Sequence, residues 1–273
     1  MSRTILITGA AGNVGGKFAS HVKATGGYAL KLLDRKATEG ITAADFSRWD
    51  ESWAQHFAGV DTVVHMAGEP RGVASWAEVH SANIIGTQHV LRAAREAKVR
   101  RVVFASTNQV MLGYRFREDV NPVTTDLPPL PLSPYGVSKV FCEEIGRNFT
   151  EETGISFLAL RIGYFQPGEN IPGPHMGIGV WGQQMWLSNR DMMHALERSI
   201  EAEDVGFAIV NLESNNPGMR WDLEHTRQVI GYAPQDGHET IVTDELRAED
   251  ERARAIALPP GTWFNEYFAP VKG

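Results

Sequence analysis

A chain of 273 residues, 42% hydrophobic and 22% charged, can bury one large core and carry a small appendage. Its net charge of -7 argues against nucleic-acid binding, which needs a basic patch, and no apolar run reaches the ~20 residues that cross a bilayer. The single cysteine, Cys142, excludes an intramolecular disulfide and a Cys-based zinc site, so no metal centre is expected.

Residues 3–8 read as a buried strand that runs into a glycine turn, Gly9, Gly12 and Gly15, and then a helix over 13–25 that begins with Asn13 and Val14. Such a turn lets the backbone approach a pyrophosphate, whose charge the N–H groups of the helix start stabilise. A second strand, 28–33, ends in Asp34, followed by Arg35. A carboxylate there accepts ribose hydroxyls and repels a 2′-phosphate, which favours NAD over NADP.

Further along, apolar patterning predicts strands at 60–65, 100–105 and 155–160 and helices at 47–57, 74–97 and 134–152. Strands alternating with helices imply a parallel sheet covered on both faces, with ligands at the carboxyl ends of its strands. The prolines between Asn121 and Pro134 rule out a continuous helix or central strand there. Tyr135 and Lys139 then lie four residues apart, on one helix face. A free phenol titrates near ~10, and a neighbouring ammonium favours its phenolate, so Lys139 is expected to lower the pKa of Tyr135. Beyond 163 the segment to Trp186 has no clear period. Ser188, with Asp191 three residues on, marks a helix start; that helix should run to about 203, before a strand at 206–212.

In chain order the motifs are Gly9, Gly12 and Gly15; Asp34; Asp45-Phe46; His65-Met66-Ala67-Gly68; Phe104-Ala105-Ser106-Thr107-Asn108; and Tyr135-Gly136-Val137-Ser138-Lys139. Together they resemble the extended short-chain dehydrogenases/reductases over nearly the whole chain. The resemblance implies a Rossmann-type α/β fold, a doubly wound parallel sheet. It implies an NAD-binding domain at 1–163 and, at 164–273, a small C-terminal substrate-binding lobe interleaved with the last sheet strands. Cofactor contacts would come from Gly9, Gly12, Asn13, Val14, Gly15, Asp34, Arg35, Asp45, Phe46, Met66, Ala67, Gly68, Asn83, Ser106, Tyr135, Lys139 and Ile162. Thr107, Tyr135 and Lys139 would be catalytic, and Asn83 would also keep its helix and the cofactor loop in register.

Within that family, Asn83-Ile84-Ile85-Gly86, Phe104 to Asn108, Tyr135 to Lys139 and Arg161-Ile162-Gly163 resemble uronate dehydrogenases, as, more weakly, do Trp186 and Ser188. This implies oxidation of a hydroxyl, at the anomeric carbon, of a small sugar or sugar acid to a lactone. Substrate contacts would come from Thr107, Asn108, Gln109, Tyr164 and Trp181. Two departures bear on the substrate: Trp181 stands where those enzymes place an arginine for the sugar carboxylate, and Gln109 replaces a histidine. His175 and Arg190 are the nearest cations, and Arg71, Arg115 or Arg117 could hold a phosphate. A uronate, a neutral aldose and a sugar phosphate therefore remain open. So do an epimerase or dehydratase that returns the hydride to its substrate, and a non-catalytic dinucleotide sensor. A cytoplasmic homodimer or larger homo-oligomer, without nucleic-acid or membrane partners, is the expected setting.

Overall fold

The computed structural model describes residues 2–257. Seven strands form one parallel sheet: β1 (Arg3–Thr8), β2 (Tyr28–Asp34), β3 (Thr42–Ala43), β4 (Thr62–His65), β5 (Arg101–Thr107), β6 (Ser156–Ile162) and β7 (Phe207–Leu212), in the spatial order β3-β2-β1-β4-β5-β6-β7. Chain direction across the sheet reverses between β1 and β4, so a crevice opens at their carboxyl ends. Helices α1 (Asn13–Thr25), α2 (Glu51–Ala54), α3 (Trp76–Val79), α4 (Gly86–Glu96), α5 (Pro134–Thr153), α6 (Gly179–Gln184), α7 (Asn189–Glu201), α8 (Glu224–Ile230) and α9 (Asp244–Ala257) complete the fold.

Successive strand residues face opposite sides of the sheet, and two cores result. Ile5 and Ile7 pack with Phe18 and Val22 of α1 and Met192 and Leu196 of α7. Leu6, Val63, Phe104 and Phe157 pack on the other face with Leu91 of α4 and Phe149 of α5. Phe104, Phe157 and Phe207 stack across β5, β6 and β7 at 5.6 and 6.2 Å between ring centres. A third cluster, with Val110, Met111, Trp181, Met185 and Trp221, lies beneath the cap. Both α7 and β7 come from beyond residue 163, so the carboxyl-terminal third contributes a strand to the sheet and a helix to its cover.

Local chemistry sets the helix ends. Ser133 caps α5, accepting from Gly136 N at 3.1 Å, with Pro134 in the first turn. As expected, Ser188 caps α7, accepting from Asp191 N at 3.0 Å. The helix expected over 47–57 starts later, because the Asp45 carboxylate holds a turn through Ser47 N and Oγ and Asp50 caps α2. The helix expected over 74–97 is not continuous α-helix: His80–Ile85 form a π-helical turn between α3 and α4, a widening that often marks functional sites.

Candidate active site

A cavity of about 1000 Å³ runs along the carboxyl ends of β1, β4, β5 and β6. At one end β1 turns sharply at Gly9, whose φ is +67°. A Cβ there would lie 2.7 Å from Ala67 N, and one on Gly15 would lie 2.3 Å from Gly9 O. Both glycines are therefore required by close approach of backbone to backbone. Gly12 caps α1 without a side-chain hydrogen bond, and no acid occupies the first turn. An uncapped helix start facing a cavity fits a pyrophosphate.

Asp34 ends β2 with its carboxylate accepting from Ala11 N at 3.0 Å and Lys36 N at 3.2 Å, and Arg35 lies beside it on the cavity wall. Asp45 and Phe46 line the same end; hydrogen bonds from Ser47 hold the Asp45 carboxyl below its usual range. Thr8 Oγ1 lies 2.7 Å from His65 Nδ1 and accepts from Ala67 N at 3.2 Å, tying the two turns together. Burial pushes the His65 imidazole down to about 3, with Lys139 adding to the effect. These features suit a dinucleotide, with its adenosine beside Asp34 and its phosphates at α1.

At the centre of the cavity, β5 delivers Ser106 and Thr107, and α5 delivers Tyr135 and Lys139. Thr107 bonds the Tyr135 hydroxyl and accepts from Gln109 N at 3.2 Å. Lys139 Nζ donates to Ala105 O at 2.7 Å. Ser106 Oγ donates to Glu143 at 2.6 Å, and Glu143 forms a buried, two-pronged ion pair with Arg161 at 3.0 and 2.9 Å. Glu143 lies one turn beyond Lys139 on α5, so this pair fixes α5 to β5 and β6.

The expected depression of Tyr135 by Lys139 is corrected. Burial pushes Tyr135 up to about 12; the Thr107 hydrogen bond lowers it and the Glu69 charge raises it. Burial also pulls Lys139 down to about 8, against smaller opposing effects of Cys142 and Glu143. The geometric reason is that Lys139 Nζ turns to the Ala105 carbonyl and stays 5.8 Å from the Tyr135 ring centre. With protein groups alone, the tyrosine keeps its proton at neutral pH.

The cavity wall includes Gly9, Gly12, Asn13, Val14, Gly15, Asp34, Arg35, Asp45, Phe46, Met66, Ala67, Gly68, Ser106, Thr107, Asn108, Gln109, Tyr135, Lys139, Ile162 and Tyr164. Two expected contacts are not on it. Trp181 is buried in the third core cluster, its ring 4.4 Å from that of Trp221; the wall there is formed by Ile178 and Met185. Asn83 is 1% exposed and holds Glu69 and Ser138 instead. Asn108 donates to Met185 Sδ at 2.7 Å, joining the segment after β5 to the end of α6.

Of the cations considered for an anionic substrate, His175 pairs with Gln166, Arg190 with Asp236, Arg115 with Asp250 and Arg117 with Asp119, and none lines the cavity. Arg71 does, bound to Glu69 and Glu78. Neither acid was singled out from the sequence: the adjacency of acid and base around Pro70 signals Glu69, and nothing local links Glu78 to Arg71.

A doubly wound parallel sheet with a glycine turn, a terminal Asp34 and a buried Tyr135–Lys139 pair defines a dinucleotide-dependent enzyme of the Rossmann type. The chain belongs to the NAD dependent epimerase/dehydratase family, whose model matches residues 5–168. It is 34% identical to L-arabinose 1-dehydrogenase (NAD(P)(+)) of Haloferax volcanii, over 87% of this chain and 98% of that one. It is also 34% identical to an NAD-dependent glucose-6-phosphate dehydrogenase of that organism, over 86% and 94%. A mutant uronate dehydrogenase from Agrobacterium tumefaciens, solved with NAD, superposes with a TM-score of 0.72 at 25% identity, over 95% of this chain and 91% of that one.

Proposed function

We propose that this NAD-dependent sugar dehydrogenase oxidises the anomeric hydroxyl of a small neutral aldose to its lactone. The observation that carries the choice of substrate is electrostatic. Among the described residues, the cations on the cavity wall are Arg35 beside Asp34, Lys139 inside the catalytic pair, and Arg71 already bound by two carboxylates. A uronate carboxylate or a sugar phosphate would enter without the guanidinium fork that suits such groups.

When bound, oxidised nicotinamide would supply the hydride acceptor and a positive charge that favours the phenolate. Tyr135, as the phenolate that this charge favours, would take the proton of the anomeric hydroxyl as C1 gives up its hydride, and the C–O bond would become the lactone carbonyl. Thr107, already bonded to the Tyr135 hydroxyl, orients the same oxygen. Lys139, held on the Ala105 carbonyl, would bond the nicotinamide ribose. Burial of Tyr135, only 7% exposed, keeps water from competing for the proton.

In this reading the enzyme is cytoplasmic and a homodimer or larger homo-oligomer. Among the described residues no helix is long and apolar enough to cross a membrane. Val137 and Phe141 of α5 and Trp76 of α3 are exposed apolar side chains available for self-association, which analytical ultracentrifugation would measure.

The test of function is NADH formation with L-arabinose, galacturonate and glucose 6-phosphate, each with NAD and with NADP. Net NADH with the aldose is expected. An epimerase or dehydratase would leave no net NADH while converting its sugar, and tight NAD binding without any sugar turnover would mark a sensor.

A further inference from the structure

The loop after β4 is built to hold one carboxylate at the substrate end. Gly68 has φ of +155°, and a Cβ on it would lie 2.8 Å from Asn83 Oδ1. The Asn83 amide then grips the next residue from both sides: Glu69 N donates to Oδ1 at 2.7 Å, and Nδ2 donates to Glu69 O at 3.2 Å. The same Nδ2 donates to Ser138 Oγ at 2.9 Å, and Ser138 Oγ donates to Tyr135 O at 2.7 Å. One buried amide on the π-helical turn thus fixes Glu69 against the helix that carries the catalytic tyrosine.

The Glu69 side chain lines the cavity, and its charge acts on Tyr135. Arg71 forks onto it, with Nε 2.7 Å from Oε1 and Nη2 3.0 Å from Oε2, while Arg71 N donates to Oε1 at 3.0 Å. Arg71 Nη2 also reaches Glu78 at 2.6 Å, and Glu78 is itself fixed as the acid of the α3 capping box with Ser75. Two carboxylates against one guanidinium leave the cluster net negative. A carboxylate offers about four acceptor directions, and Arg71 fills two on Oε1 and one on Oε2, so Oε2 retains one for a ligand hydroxyl.

We propose that Glu69 determines substrate specificity, accepting a ring hydroxyl of a neutral aldose while its pairing with Arg71 withholds that guanidinium from anionic sugars. This rests on the dehydrogenase reading above. A hydroxyl donor gains a charged acceptor, whereas a sugar carboxylate or phosphate must displace Glu69 or Glu78 from Arg71 and then lie beside the freed acid. The fixed loop, which holds Glu69 through Asn83, strengthens both effects.

Glu69→Gln keeps the size of the side chain and removes the charge. In steady-state assays, kcat/KM for L-arabinose should fall about ten- to a hundredfold, mostly through KM, because a ground-state contact is weakened. The galacturonate-to-arabinose ratio of kcat/KM should rise by a similar factor. Arg71→Met, at an exposed side chain, should do the opposite to that ratio, leaving Glu69 uncompensated and anionic sugars more strongly rejected. Unchanged NAD affinity in a binding titration verifies that each variant is folded. A wild-type enzyme that oxidises arabinose, with a substrate ratio unmoved in both variants, overturns the specificity role alone. Wild-type preference for galacturonate or glucose 6-phosphate overturns it too, and absence of NADH with every sugar removes the parent reading itself.

Discussion

Glu143 and Arg161 are each 1% exposed, and replacing Glu143 by Gln would strand a buried guanidinium. Glu143 now accepts three charge-assisted or short hydrogen bonds, two from Arg161 and one from Ser106. Gln offers one acceptor oxygen in their place, and its amide nitrogen would point a donor at another donor. Arg161 Nη1 already lacks a partner among the described residues, so the guanidinium has no compensating contact in reserve. Breaking a buried pair from one side costs about 3–5 kcal/mol. For a chain of this size that corresponds to a drop of roughly 6–20 °C in Tm. Urea and thermal denaturation of Glu143→Gln, Arg161→Met and the double variant Glu143→Met/Arg161→Met provide the assay. Removing both charges should restore most of the loss, since hydrophobic replacement of a whole buried pair is often neutral. A loss under about 1 kcal/mol in Glu143→Gln, or a double variant as unstable as the sum of the singles, would refute the assignment of the pair as the tie between α5 and the sheet.

Tyr135→Phe should leave NAD affinity nearly unchanged in a titration while kcat falls by about two orders of magnitude or more; equal turnover would remove Tyr135 from proton transfer. Lys139 binds its proton less tightly in the fold, at about 8, than in an unfolded chain, so it adds stability as pH rises from about 8 toward its ordinary value and none below that window. Lys139→Met should therefore be more stable than wild type near pH 7, by about 2–4 kcal/mol at most, with the difference shrinking as pH rises through the window. Denaturation midpoints across pH check this, and a constant difference would count against it. Gly15→Ala drives a Cβ to 2.3 Å from Gly9 O; a loss of about 1–3 kcal/mol in stability, with NAD affinity at least about tenfold weaker, is expected from calorimetry, and normal binding would deny the turn its phosphate role.

The glycine turn, Asp34 and the Tyr135–Lys139 pair were legible because each is a short local pattern tied to one backbone geometry or one helix face. The five strands expected up to 160 and the one at 206–212 all exist, the first with the expected bounds and the others displaced by one or two residues at one or both ends, because apolar runs of that length have few alternatives. The two-residue β3 escaped notice, since Thr42 and Ala43 are exposed and carry no apolar signal. The π-helical turn was equally hidden: His80 to Ile85 contain nothing that opposes an ordinary helix, and the widening is set by packing against α5. Trp181 misled because an aromatic residue near a binding site reads the same whether it faces the ligand or, as here, a second tryptophan. The Tyr135 pKa could not be read from spacing, because position i+4 does not say where the lysine Nζ turns. Glu69 acquires its place from Asn83, fourteen residues away, a link no periodicity reveals.

The π-helical turn places an unusual constraint on how this gene can drift. Removing one residue between His80 and Ile85 would let α3, the turn and α4 close into a regular helix, rotating one end against the other by about 100°. Rotation of the leading end would pull Asn83 from Glu69 and Ser138. Rotation of the trailing end would take His89 from the Phe46 carbonyl it contacts at 2.7 Å, loosening that part of the cavity wall. Single substitutions along the segment injure one end at a time, whereas a one-codon deletion must give up either the Asn83 contacts or the His89 contact. Descendants of this chain should thus vary here in letters and stay constant in count.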